Sequence, residues 1–278
     1  MAMMHMRWLR ASDCVRSSLA LNRNQGASCI ARALSVSTPK FGASAPSAET
    51  STGASHSGSK RFRQHVNPLS SVYRQPIKLP EWTECFADTS LPIHLDIGCA
   101  RGKYLMDVAK TQASKQNFVG VEIRRNVLEE AEREAKNRKL DNLALIHANM
   151  NIHQARLLQS LPARVTSVSI FHPDPWMKKR HVKRRLVNEE FVAELAKLLP
   201  NRTPIFVQTD VEELFEYMVE IFEMSKLYDF DAMLKNPFGI PTDREKFVRD
   251  QGGDIFRVKF IVDDPEREES GIPTQSQQ

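Results

Sequence analysis

The stretch "PIHLDIGCARGKYLMDVAKTQASKQNFVGVEI", residues 92–123, changes its hydrophobic period twice. A short apolar run over 92–98 ends in an acid and a glycine, Asp96 and Gly98. Leu105, Met106, Val108 and Ala109 then fall on one helical face, and 117–123 returns to a strand-like run. Strand, turn, helix and strand in that order predict a parallel pair joined by a crossover helix.

The same alternation continues downstream. Residues 126–139 read as a highly charged surface helix and 142–149 as a third strand, followed by a short helix that ends at Leu161 and Pro162. A fourth strand is expected over 165–171, a helix over 189–199 capped by Asn188, a fifth strand over 203–210 and a helix over 211–224. The end, 254–262, alternates and suits a last strand paired antiparallel near the sheet edge. Five strand–helix repeats predict an α/β fold, a mostly parallel sheet with helices on both faces. In such sheets ligands bind beyond the carboxyl ends of the strands. The segments "DIGCARG", "VEI", "HANM", "HPDPW" and "QTD" are all strand exits, and the functional residues are expected there.

Composition narrows the classes. The chain has 278 residues, 41% of them hydrophobic, enough for one good-sized core. It contains no run of eighteen apolar residues, so no membrane span is expected. Cys14, Cys29, Cys85 and Cys99 show no Cys-x-x-Cys spacing, which argues against a zinc site or a disulfide framework. The net charge of +5 sits entirely in residues 1–60, with seven Lys/Arg against two Asp/Glu; the remainder holds 32 of each sign. That first segment is Arg-bearing, Ser/Ala-rich and poor in acids, the composition of a mitochondrial or plastid transit peptide. The expected organisation is a leader over 1–60, an arm over 61–80, a main domain over 81–265 and a disordered tail over 266–278.

"LDIGCARGKY" places Asp96 before a turn carrying Gly98 and Gly102, where a ligand can approach the backbone closely. A dinucleotide fingerprint would want glycines where Ala100 and Lys103 stand. An acid before the loop suits S-adenosylmethionine better, because that ligand carries a cationic amine and a sulfonium rather than phosphates. Glu122, ending the second strand, can accept from two ribose hydroxyls, and Asn149, after the third, can pair with the edge of adenine. Cys99 is read as packing rather than as a nucleophile. His94, His147, His153 and His172 share no ligand spacing with carboxylates or cysteines, so local structural roles and no metal are expected.

"FHPDPWMKKRHVKRRLV", residues 171–187, sets Asp174 between two prolines and follows Trp176 with six Lys/Arg in eight residues. A strand end with a solvated basic loop is one reading, and a nuclear-localisation-like run another. The third is a site that holds a polyanion beside a neutral polar group.

This motif resembles the signature of the tRNA (guanine-N7)-methyltransferase family, Pro-Asp-Pro-Trp followed by Lys-Lys-Arg-His and further basic residues. The resemblance runs from about Pro92 to Val262 and includes the Gly-bearing first turn, "VGVEI", "QTD" and "GIPTDREKFVRDQG". "RFRQHVNPLSS", residues 61–71, looks like the arm of organellar and cyanobacterial-type members. The resemblance implies a Rossmann-like class I methyltransferase sheet of about seven strands. It implies an enzyme that transfers a methyl group from S-adenosylmethionine to guanine N7 in tRNA, conventionally at position 46 of the variable loop. By motif, Asp96, Gly98, Glu122, Asn149 and Asp174 would contact the cofactor, and Asp174 would be the catalytic acid. Lys178 and Asp210 would bind substrate, as would Arg180, Lys183, Arg184 and Arg185 of the basic run, and Thr242, Asp243, Arg244 and Glu245. Asp96 stands where many members have Glu, and Met177 where His is frequent. The implied partner is tRNA, with no membrane, and the protein is a monomer or a homodimer. The leader points to an organelle, with the chloroplast preferred to the mitochondrion. A methyltransferase of another substrate and a non-catalytic RNA-binding relative are the alternatives.

Overall fold

The computed structural model describes residues 66–265. The leader, the first residues of the arm (Arg61 and Arg63 among them) and the tail beyond 265 lie outside the described residues.

Seven strands form one sheet: β1 (Ile93–Ile97), β2 (Asn117–Glu122), β3 (Leu143–His147), β4 (Val165–Phe171), β5 (Pro204–Thr209), β6 (Tyr228–Ala232) and β7 (Phe256–Val262). The helices are α1 (Trp82–Cys85), α2 (Lys103–Thr111), α3 (Arg125–Asn137), α4 (Met150–Ser160), α5 (Glu189–Leu198), α6 (Glu212–Ser225) and α7 (Asp243–Asp250). Two 3-10 turns, Ser71–Arg74 and Lys179–Arg184, complete the list of described helical elements. The strand order is β3-β2-β1-β4-β5-β7-β6. β1 to β5 pair in parallel, and β7 runs antiparallel between β5 and β6.

The parallel strands are buried on both faces, so they read as continuous apolar runs. Alternation divides their side chains. Ile93, Leu95 and Ile97 of β1 enter the larger core cluster with side chains of α4, α5 and α6. Phe118 of β2 enters a second cluster with Leu105, Met106, Val108 and Ala109 of α2 and Ala131 of α3. Asn188 caps α5 as expected, its side chain accepting from Phe191 N at 3.1 Å.

The last strand, β7, pairs antiparallel near the sheet edge as expected, one place in from it because β6 is the outer strand. β6, "YDFDA", was not expected as a strand; Asp229 and Asp231 break the apolar pattern. Charges on an outer strand blunt its open hydrogen-bonding edge, and here they pair with Arg202 and Lys259. The segment from Thr242 to Glu245 opens a helix, with the Thr242 side chain accepting from Glu245 N at 3.0 Å. Among the described residues, no helix is long and apolar enough to cross a membrane.

Sheet order reverses between β1 and β4, which lie side by side while their crossovers lead to opposite sides. The crevice at such a switch point is where this architecture binds ligands. The carboxyl ends of β1 and β4 bear Asp96 and the His-Pro-Asp-Pro-Trp loop.

Candidate active site

A cavity of about 670 Å³ opens at that switch point. Asp96, Gly98, Glu122, Asn149, Asp174, Arg184, Asp210, Thr242, Asp243 and Arg244 all line it. Residues expected from five separate strand exits and from the start of α7 are thus brought to one wall-to-wall space. Lys178, Arg180 and Lys183 are exposed, and Arg185 and Glu245 are buried; none of these five is part of the lining.

The glycine turn is held by β2. Gly98 N and Cys99 N both donate to Val121 O, at 2.7 and 3.0 Å, and Ala100 N donates to Glu122 Oε2 at 3.1 Å. Gly98 has φ of 88° and a Cβ there would meet nothing within 4 Å, so its side-chain-free face looks into open space. Ala100 sits at φ of 50° without being glycine. Glu122 is 3% exposed and carries a second load: Arg124 donates to it through its backbone N–H and its guanidinium, at 2.8 to 3.0 Å. The bond to Glu122 raises the Arg124 pKa, with the nearby Asp174 charge adding to it. Arg124 was not among the expected site residues. Ribose hydroxyls reaching Glu122 must share or displace its guanidinium.

Asp96 is buried, and burial pushes its pKa up to about 6 against the hydrogen bond from Ser169. Asn149 caps α4, its Oδ1 accepting from Asn151 N at 3.1 Å, while its Nδ2 donates to Pro68 O at 2.9 Å. The side chain read as an adenine partner therefore also ties the described part of the arm to the domain. His153 Nε2 lies 2.9 Å from Tyr73 O and makes a second tie.

Asp174 is half-buried between Pro173 and Pro175. Both ends of its loop are strained: His172 has φ of 49° and Trp176 φ of 42°, left-handed values that cost a side chain-bearing residue of order 1–3 kcal/mol. The surrounding structure holds the loop from both sides. At its start, Gln208 Nε2 lies 2.8 Å from His172 Nε2, and an amide NH₂ only donates. His172 Nε2 is therefore the acceptor, and Nδ1 carries the hydrogen donated to Asp210 Oδ1 at 2.9 Å. Although burial opposes it, the bonds from His172 and Arg244 hold the Asp210 carboxyl well below the usual range. Behind this pair lies a buried network: Arg257, with no exposed surface, donates to Gln208 Oε1 at 2.7 Å and pairs with Glu245 at 2.7 Å. Glu245, grouped with the substrate residues by motif, turns inward to Arg257, Arg249 and Gln208.

The basic run divides by depth. Lys178, Lys179, Arg180 and Lys183 are exposed, Arg184 lies over the Trp176 ring at 5.0 Å, and Arg185 is 4% exposed. Trp176 thus has a protein cation over its ring. Arg185, grouped with the substrate-binding run by motif, is the buried member of that run.

A mostly parallel sheet with this strand order, a glycine turn after β1 and hydrogen-bond acceptors at successive strand exits is the architecture of a nucleoside-type cofactor site of the methyltransferase kind. A family described as "Putative methyltransferase" matches residues 90–258. The chain is 44% identical over 207 residues to a tRNA (guanine-N(7)-)-methyltransferase of Microcystis aeruginosa, covering 73% of this chain and 98% of that protein. It is 41% identical over 215 residues to the one of Prochlorococcus marinus strain MIT 9303, covering 75% and 91%. A solved antibiotic-related methyltransferase is similar at a TM-score of 0.48 and 17% identity, over 68% of this chain and 98% of that one. The chain belongs to the tRNA (guanine-N7)-methyltransferase family.

Proposed function

We propose that this protein transfers a methyl group from S-adenosylmethionine to N7 of a guanine in tRNA, at the variable-loop position conventionally numbered 46. One observation carries the reading: Asp174 sits on a rigid loop in the same cavity as Asp96 and Glu122, with an exposed basic turn at Lys178–Lys183 beside it.

The donor set suits the cofactor. Acceptors, not phosphate-binding N–H groups alone, surround the turn: the buried Asp96 suits a cationic amine, and Glu122 suits hydroxyls. Gly98 leaves the backbone open to close approach. When bound, S-adenosylmethionine supplies a methyl group already activated on a sulfonium sulfur. Guanine N7 already has an in-plane lone pair, so no residue has to remove a proton to create the nucleophile. What the protein must supply is orientation, which can contribute about 7–11 kcal/mol. Asp174 accepts hydrogen bonds from guanine N1–H and the exocyclic amine, a pair of donors that the other bases do not offer together. Its negative charge also lies beside the purine ring as that ring becomes positive. The exposed Lys178, Arg180 and Lys183 bind phosphates flanking the target and orient the RNA without reading its sequence.

The leader's Arg-bearing, acid-poor composition supports import into an organelle, and the cyanobacterial sources of the similar proteins favour the chloroplast.

Asp174→Asn tests the active-site reading. It keeps the shape but points an NH₂ at guanine N1–H, so methyl transfer to tRNA should fall by orders of magnitude while tRNA retention on a filter stays near wild type. Turnover above a third of wild type would remove Asp174 from its role.

A further inference from the structure

The turn Lys179–Arg184 is a 3-10 helix, and three residues per turn align side chains at i and i+3. Three rows follow. Arg180 and Lys183 share the outer row and are exposed. His181 and Arg184 share the row facing Trp176, with ring centroids 5.6 Å apart for His181 and the Arg184 guanidinium 5.0 Å from the ring. Lys179 and Val182 share the third row, and Arg185 follows as the C-cap residue, where the backbone turns extended at ψ of 141°.

Arg185 closes the turn, its backbone N–H donating to Val182 O at 2.9 Å. Its side chain runs back under the catalytic loop, where Nε donates to Pro175 O at 2.9 Å. The guanidinium lies 4.3 Å from the Tyr217 ring centroid on α6, and NH2 is 3.7 Å from Glu213 Oε1 on the same helix.

We infer that Arg185 and Tyr217 are positioning residues that clamp the Asp174 loop to α6, and that Arg185 is not part of the RNA-binding surface. This rests on the active-site reading above. Pro173 and Pro175 have no N–H, so at these two residues the backbone can be pinned only through its carbonyls. Pro175 O is the carbonyl of the residue next to Asp174 and precedes the strained Trp176. Holding it fixes the backbone beside Asp174, which lines the cavity. Only arginine offers a permanent charge, an in-plane Nε–H and a flat face that stacks on Tyr217.

The experiment compares Arg185→Gln, Tyr217→Leu, Tyr217→Phe and Arg180→Gln with wild type. For each variant it reads kcat at saturating tRNA and S-adenosylmethionine, the salt dependence of tRNA affinity, and amide exchange at Asp174 and Trp176. Arg185→Gln should lower kcat at least tenfold, leave the salt slope as in wild type, and speed exchange at those two amides. Tyr217→Leu should do the same, and Tyr217→Phe, which keeps the ring, should restore kcat to near wild type. Arg180→Gln should flatten the slope of log affinity against log salt by about 0.7–0.9, as expected for one lost phosphate contact. A flattened slope for Arg185→Gln, or unchanged exchange and kcat, would overturn the clamp. Should Arg185→Gln not fold, equal kcat for Tyr217→Leu and Tyr217→Phe would overturn it instead. The exchange readout needs no activity, so a wild type that left tRNA unmethylated would count against the functional reading alone.

Discussion

Ser169 donates its hydroxyl to Asp96 Oδ1 at 2.5 Å across the β1–β4 pair, and both residues are buried. His94 stands behind the bond, with Nε2 3.0 Å from Ser169 Oγ and Nδ1 2.7 Å from Ser167 Oγ. A hydroxyl has one hydrogen to give, and Ser169 gives it to the ionised Asp96. His94 Nε2 must then carry a hydrogen and donate, and Nδ1 must accept from Ser167. Burial lowers the His94 pKa to about 3, so the ring is neutral and this single tautomer holds. Ser169→Ala should weaken S-adenosylmethionine binding at least tenfold without changing tRNA affinity, because about 1.5–3 kcal/mol rides on a hydrogen bond to a charged group. Calorimetry with the cofactor alone checks it, and unchanged affinity would detach Ser169 from the site.

Asp96 also sets a pH dependence. Burial raises its folded pKa to about 6, above its unfolded value, so its contribution to stability is greatest below the ordinary carboxylate range and is lost as pH rises through about 6. A cationic ligand needs the ionised form, so binding has the opposite sign. Cofactor affinity should weaken by up to tenfold per unit as pH falls below about 6, on the acid side of the range in which the ligand's own amine, with an ordinary pKa of about 7.7–8.0, is charged. Asp96→Asn should abolish this pH dependence; a profile identical to wild type would contradict the assignment.

Glu122→Ala should weaken S-adenosylmethionine at least tenfold. It removes the acceptor for the hydroxyls and the carboxylate that gathers Ala100 N–H and Arg124 around the turn. Titration calorimetry on the folded variant decides it, and wild-type affinity would place the ribose elsewhere.

Gly120 lies inside β2 where no turn requires it. A Cβ there would come within 2.8 Å of Leu105 Cδ2 and 2.9 Å of Cys99 Sγ and Leu145 Cδ2. Gly120→Ala should therefore destabilise the protein by about 1–3 kcal/mol through overpacking, measured by urea unfolding. An unchanged midpoint would mean that these side chains move aside at no cost.

The β-branched run of β4 and the Asn188 cap are local signals, and both stand where the sequence placed them. The acids at strand exits were legible because strand order brings successive carboxyl ends together. What was not legible depends on distant pairing. Arg257 meets Gln208 49 residues away, and Gln208 meets Glu245 37 residues away, so no window of sequence couples them. The depth of Arg185 was not legible because the chain leaves the 3-10 turn at that residue, and the composition of a basic run does not reveal where its backbone turns inward. Arg124 escaped notice because a basic residue after a strand exit is ordinary until its guanidinium is seen on Glu122.

The central claim is methylation at guanine N7, and the most direct measurement compares two tRNA transcripts with labelled methyl donor, one of them carrying 7-deazaguanosine at the variable-loop target. Nucleoside analysis should find the label as 7-methylguanosine in the ordinary transcript and nothing in the deaza transcript, with both transcripts retained equally by the protein. Label in any other nucleoside, or equal labelling of the deaza transcript, would contradict the account.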